Sequence, residues 1–253
     1  MAKTIANTRR FFVDPAELSG DALQINDPDL AHQLGRVLRL GAGDRVLLLD
    51  GRGTACTVEL SGVSKSAVSG HVIERSAAGG EPAVAIDLYL ALIRPERFEW
   101  AVQKSVELGV RRIVPVHCAR SLPADRADPR KIERWNRIAR EAAEQSCSGI
   151  VPEIAAPINF AAALAATIGA NVRLILWEGE APSLPSVLAD ANLGRGGHIA
   201  LLSGPEGGIS QEELTAASEH GMIPVSLGAR ILRAETAPVA AIAALLYALD
   251  WGA

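Results

Sequence analysis

Residues 199–202, Ile-Ala-Leu-Leu, form an apolar run that stops at Ser203-Gly204-Pro205-Glu206-Gly207-Gly208-Ile209. A run this short, closed by a Gly/Pro cluster, reads as a buried strand ending in a tight loop with bare backbone. Ser210-Gln211-Glu212-Glu213 follows, with the Ser/Glu spacing of a capping box that opens a helix before Leu214. Strand, bare loop and helix in that order point to an α/β architecture, which builds small-molecule sites at such strand exits. The three glycines leave the loop's N–H groups open to a ligand, although the same residues also suit a plain turn.

A second exit lies downstream. Pro224-Val225-Ser226-Leu227-Gly228 reads as a short strand with its own glycine, running through Ala229-Arg230-Ile231-Leu232-Arg233-Ala234-Glu235 into an Ala/Leu helix over 237–249. Thr236 is a suitable N-cap and Pro238 suits a first turn. Two exits so close in sequence predict neighbouring parallel strands that deliver loops to one sheet edge. The helix is apolar on nearly every face, so it must be buried on several sides, in the core or in a subunit interface.

Upstream the pattern divides the chain. Short alternating runs at 45–49, 55–60 and 67–74, with Asp50-Gly51 between the first two, predict hairpins and a small β-barrel over residues 1–76. Ala77-Ala78-Gly79-Gly80-Glu81-Pro82 is a linker. Beyond it, strand-like runs at 84–93, 112–116, 172–177, 198–202 and 223–226 alternate with helical ones, which predicts a mostly parallel sheet with helices on both faces over 83–253. No strand is followed by GxGxxG and there is no GxxxxGK[ST], which disfavours dinucleotide and P-loop sites.

Charge is uneven. Residues 1–76 carry nine basic and nine acidic side chains, 77–150 carry twelve and ten, and 151–253 carry four and ten. The net charge of −4 therefore leaves room for a basic face outside the C-terminal third. Cys56, Cys118 and Cys147 are far apart and odd in number, which suggests neither a disulfide frame nor a zinc site and fits a reducing cytoplasm. The apolar stretches are too short to span a bilayer.

Gly204-Pro205-Glu206-Gly207-Gly208, followed by Ser226-Leu227-Gly228-x-Arg230-Ile231-Leu232-Arg233-x-Glu235-Thr236-Ala237, resembles the paired C-terminal motifs of the SPOUT methyltransferases. Within that superfamily the match is to the small-subunit ribosomal RNA uridine-N3 methyltransferases, the RsmE family. Arg9-Arg10-Phe11-Phe12-Val13, His32-x-Leu34-x-x-Val37-Leu38-Arg39-Leu40, Gln103-Lys104-Ser105-Val106-Glu107-Leu108-Gly109-Val110 and Glu141-Ala142-Ala143-Glu144-Gln145-Ser146 extend the resemblance over nearly the whole chain. One departure is Cys147-Ser148-Gly149-Ile150, where the family usually shows Arg or Asn.

The resemblance implies a PUA-like RNA-binding β-barrel, then a SPOUT domain whose trefoil knot clamps S-adenosylmethionine, in a homodimer without metal. It implies methylation of uridine N3 in small-subunit (16S) ribosomal RNA on the assembled subunit. A different RNA target, or a non-catalytic RNA-binding assembly factor, remains the alternative. Carried over residue by residue, the cofactor loops are Trp177 and Glu178; Leu202, Ser203, Gly204, Gly207 and Gly208; and Ser226, Leu227, Gly228, Ile231 and Leu232. Neutral uridine N3 is a poor nucleophile, so a base or a stabiliser of the uridine anion is needed. Arg233 and Arg230 suit the stabiliser; Glu206 suits either the base or a carboxylate that caps nearby N–H groups. Glu235 suits pairing with Arg230 or the helix start. RNA contacts are expected from Arg9, Arg10, Arg36, Arg39 and Arg52, from Arg120, and from Arg130, Arg134 and Arg137, which share one helix face opposite Ile132, Trp135, Ala139 and Ala142.

Overall fold

The computed structural model describes residues 9–121, 128–190, 193 and 196–251. They form two compact units, one running to Glu81 and including Ala143–Val151, the other made of Pro82–Ala142 and the chain from Pro152 onward.

In the first unit, β1 (Arg10–Phe12), β2 (Ala22–Ile25), β3 (Arg45–Leu49), β4 (Thr54–Val63) and β5 (Val68–Ala77) form a sheet in the order β1-β3-β4-β5-β2. Only β1–β3 is parallel. The Asp50-Gly51 signal does mark the β3–β4 turn. The Asp50 carboxylate accepts the N–H groups of Arg52 and Thr54, each at 2.8 Å, and Gly51 has φ 67°, a conformation glycine adopts without strain. Alternate residues Val46 and Leu48 on β3, and Cys56, Val58 and Leu60 on β4, point into one core with Leu30 and Leu34. Leu30 lies on α1 (Pro28–His32), opened by the Asp27 side chain.

Residues 143–151 belong to this unit, although the sequence pattern groups them with the second. Val151 N–H donates to the Gly51 carbonyl at 3.1 Å. The Glu81 carboxylate accepts from the Ser148 hydroxyl at 2.7 Å and from the N–H groups of Gly149 and Ile150 at 2.8 and 3.1 Å. One linker carboxylate thus organises the segment where the chain departs from the family pattern.

The second unit contains β6 (Ala85–Ala91), β7 (Arg112–His117), β8 (Glu153–Ile154), β9 (Ile158–Asn159), β10 (Val172–Leu176), β11 (His198–Ser203) and β12 (Ile223–Val225). Their order is β12-β10-β11-β6-β7-β8, with β9 also on β7, and every pair is parallel. The helices are α2 (Pro95–Glu107), α3 (Pro129–Gln145, whose residues from Ala143 on count with the first unit), α4 (Phe160–Ala166), α5 (Leu184–Asp190), α6 (Gln211–Glu219) and α7 (Thr236–Leu246). Tyr89, Val114, Ile175 and Leu202 pack with Phe160, Leu164 and Ala217 from α4 and α6, while α7 packs on β6 and β11 and against α2.

Two expectations change. The strands at 199–202 and 223–226 are not neighbours, because β10 lies between β11 and β12. Helix α7 starts at Thr236 itself; Glu235 occupies the N-cap without a side-chain cap bond, and α7 ends at Leu246 in a π-helical turn, Tyr247–Trp251. Its buried side chains are Pro238, Ala241, Ile242, Leu245 and Leu246, whereas Tyr247 is 71% exposed. Among the described residues no helix is long and apolar enough to cross a membrane.

Near the N-terminal end of β6, Asp87 is buried. It accepts two bonds from Arg111 at 2.8 and 2.5 Å and lies 3.1 Å from His198 Nε2. Removing a buried acceptor strands its donors, and partial exposure of Arg111 softens the loss. Asp87→Asn is expected to cost about 1–3 kcal/mol, read as a lower urea midpoint at neutral pH; an unchanged midpoint would show that the pair is neutral to stability.

Candidate functional site

Parallel strands end at a common edge, so the loops after β10, β11 and β12 emerge together. They enclose a cavity of about 460 Å³, within the size range of small-molecule sites. Trp177 and Glu178 line it after β10, Ser203, Gly204, Glu206 and Gly208 after β11, and Ser226, Leu227, Gly228, Arg230, Ile231, Leu232 and Arg233 after β12. Leu202 and Gly207 stand outside the lining. Leu202 is wholly buried in the sheet core, and Gly207 offers its carbonyl to Arg120 Nη1 at 2.9 Å.

Local chemistry shapes each loop. The Ser210 side chain accepts the Glu213 N–H while the Glu213 carboxylate accepts the Ser210 N–H, which completes the capping box of α6. The other oxygen of Glu213 accepts the Ala119 N–H at 2.7 Å, so the loop after β7 is tied to the first turn of α6. Gly208 has φ 72°, and a Cβ there would run into the Glu178 carboxylate. Gly228 has φ 108° with open space before it, and its N–H donates to Ser226 Oγ at 3.2 Å. The Ser226 carbonyl accepts the Leu184 N–H, so the turn is held from outside.

The charged groups divide into free and engaged. Arg230 and Arg233 are exposed, with no side-chain partner among the described residues. Glu206 Oε1 accepts the Arg94 N–H at 3.3 Å and lies 3.6 Å from Arg97 Nη1. Glu235 pairs with Arg97, at 3.8 Å, rather than with Arg230. Arg97 lines the cavity from the first turn of α2 and went unnoticed in the sequence. The available signal was Arg94-Pro95-Glu96-Arg97 at the exit of another predicted strand. Burial, and secondarily Glu213, push the Cys118 thiol well above its ordinary range, which keeps it neutral. Among the described residues no cluster of His, Cys, Asp and Glu is arranged to hold a metal.

The arginines expected to meet RNA are also divided. Arg36, Arg39 and Arg52 are exposed in the first unit. Arg9 donates to the Leu38 carbonyl and Arg10 to that of Cys147, so both also brace their own unit. On α3, Arg134 grips Glu99 through two contacts of 2.7 Å and Arg137 lies 4.0 Å from Glu141. Arg130 is exposed with no partner among the described residues. Of the apolar stripe opposite, Trp135, Ala139 and Ala142 are buried and Ile132 is half-buried.

Residues 80–246 match the RNA methyltransferase domain family, and residues 25–73 match the RNA methyltransferase PUA domain. The chain is 34% identical to the ribosomal RNA small subunit methyltransferase E of Synechocystis sp., over 95% of this chain and 78% of that protein. It is 32% identical to the protein of the same name from Bacillus subtilis, over 85% and 86%. The crystal structure of a ribosomal RNA small subunit methyltransferase E from Neisseria gonorrhoeae bound to S-adenosyl methionine is similar, with a TM-score of 0.86 at 31% identity over 97% of this chain and all of that one. A Legionella pneumophila methyltransferase in complex with the same cofactor gives 0.83 at 30% identity, over 95% and 98%.

Proposed function

The chain belongs to the ribosomal RNA small subunit methyltransferase E family, an S-adenosylmethionine-dependent group, and from that membership we propose that it methylates N3 of one uridine in small-subunit ribosomal RNA. The observation that carries this reading is the cavity at the exits of β10, β11 and β12, where bare backbone at Gly208 and Gly228 meets two unpaired arginines. Leu227, Ile231 and Leu232 offer an apolar slot for the adenine, and the Glu178 carboxylate suits ribose hydroxyls. The donor set therefore fits the cofactor, which supplies an electrophilic methyl group.

The remaining chemistry falls to the protein. Excluding water strengthens each charge–dipole contact in the cavity. Arg230 and Arg233 are placed to hold a nucleotide at its mouth, as phosphate partners or as stabilisers of the uracil anion. A trefoil knot in the loops around the cavity, and a homodimer burying the outer face of α7, belong to the same proposal, as does action on the assembled subunit in the cytoplasm without metal. The incompletely buried apolar residues Val239, Ala240, Ala243 and Ala244 of α7, continued by the exposed Tyr247, support the dimer.

The test is methyl transfer from labelled S-adenosylmethionine into small subunits lacking the modification, with the labelled nucleoside identified by mass spectrometry. N3-methyluridine is the expected product. Label in another nucleoside would sink the uridine assignment, and absence of cofactor binding would favour a non-catalytic assembly factor. For the RNA surface, Arg130→Glu is the cleaner probe, because reversing Arg134 would also expose the Glu99 charge. Arg130→Glu is expected to weaken RNA binding and lower the slope of log affinity against log salt by about one. An unaltered slope would return that helix face to plain solvation.

A further inference from the structure

The loops after β10, β11 and β12 do not supply every residue of the cavity lining, for Arg97 comes from α2. There Arg97 lies between two carboxylates, 3.6 Å from Glu206 and 3.8 Å from Glu235. It donates no hydrogen bond to either among the described residues, so its N–H groups are held in place but not consumed. Behind it, Glu235 is nearly buried, and its Oε2 atom is fully buried without a hydrogen-bond partner. In front, both contacts to Glu206 fall on Oε1, which leaves Oε2 open.

We propose that Arg97 and Glu206 together read the imide edge of the target uracil, with Arg97 donating to a ring carbonyl oxygen and Glu206 accepting from N3–H. The proposal rests on the uridine-N3 reading above. A donor beside an acceptor is the complement of a carbonyl beside an imide N–H. Cytosine, with an acceptor at N3, would face the Glu206 carboxylate with a like group. Arg97 already has two carboxylate neighbours, whereas Arg230 and Arg233 in the same lining have none among the described residues, so a phosphate is better matched to those two arginines and Arg97 to hydrogen bonds with a ring carbonyl. Those bonds strengthen as charge builds on that oxygen.

In the reaction the N3–H bond breaks and its proton passes to Glu206 and on to solvent. The N3 electron pair then forms the bond to the methyl carbon, and the carbon–sulfur pair remains on sulfur. Arg97 holds the negative charge that develops on the uracil oxygen, and Glu235 positions Arg97.

The experiment compares wild type, Arg97→Gln, Arg97→Lys and Glu206→Gln on small subunits lacking the modification. Single-turnover transfer is followed against pH, cofactor affinity by calorimetry, and folding by thermal melting. Arg97→Gln is expected to keep cofactor affinity within about twofold and lose about 100-fold in transfer. Its ascending pH limb should move up by about one unit or more, because the imide ionises less readily without the cation. Arg97→Lys should recover part of the rate, since charge is kept and fork geometry lost. Glu206→Gln should lose rate at unchanged cofactor affinity. If Arg97→Gln instead weakens the cofactor and regains full rate at saturation, the guanidinium holds the cofactor carboxylate and the proposal is wrong. Unchanged rate and pH limb would reduce Arg97 to a counter-charge for its glutamates. Wild-type labelling of a base other than uridine overturns the underlying reading, separately from any effect of these variants.

Discussion

Gly208→Val is expected to weaken S-adenosylmethionine binding by about 100-fold, or about 3 kcal/mol, while the sheet stays folded. Two causes act together. The residue sits at φ 72°, where a β-branched side chain is strained. Its Cβ would also occupy the space of the Glu178 carboxylate, a group that itself lines the cavity. Either the loop after β11 shifts or Glu178 leaves, and both change the wall that faces the cofactor. Calorimetric titration measures the loss. Gly79→Val is the control, because its Cβ position is open and its φ is ordinary. Tight binding by Gly208→Val would place the cofactor elsewhere on the protein.

Trp135→Ala is expected to cost about 3–5 kcal/mol of stability. The indole is 2% exposed, and its ring lies 4.4 Å from that of Phe98, which is wholly buried on α2. Its ring nitrogen has no partner among the described residues, so truncation forfeits packing but no hydrogen bond. Phe98 follows Arg97 directly, and the neighbouring Glu99–Arg134 pair joins the same two helices. Loosening α2 should therefore blunt methyl transfer as well as lower the urea midpoint. A loss below about 1 kcal/mol would mean that the helices repack without the indole.

The local elements were readable because local rules govern them. Glycine and proline stop strands, so the ends of β10, β11 and β12 fell close to where the sequence put them. Ser210 and Glu213 needed only their spacing to form a capping box. Asp50-Gly51 needed only its own N–H neighbours to turn the chain. For the same reason most cavity residues were legible, since a site built at strand exits is written in contiguous motifs. Leu202 was misplaced because an apolar residue at a strand end suits a pocket wall or the core equally; neighbours distant in sequence put it in the core.

Strand order, the membership of residues 143–151 and the partners of Glu206 and Glu235 were decided only in three dimensions. The insertion of β10 between β11 and β12 follows from long-range packing, to which adjacent sequence is blind. The three bonds from residues 148–150 to Glu81 span more than sixty positions. Arg97 meets Glu206 and Glu235 only because β6 lies beside β11 and directs α2 to the same edge. The sequence by itself determined the two-part α/β architecture and the bare loops, because hydrophobic period, turn chemistry and capping act over a few residues. The tertiary structure alone decided which charges share the cavity, because ion pairing depends on distance in space and not along the chain.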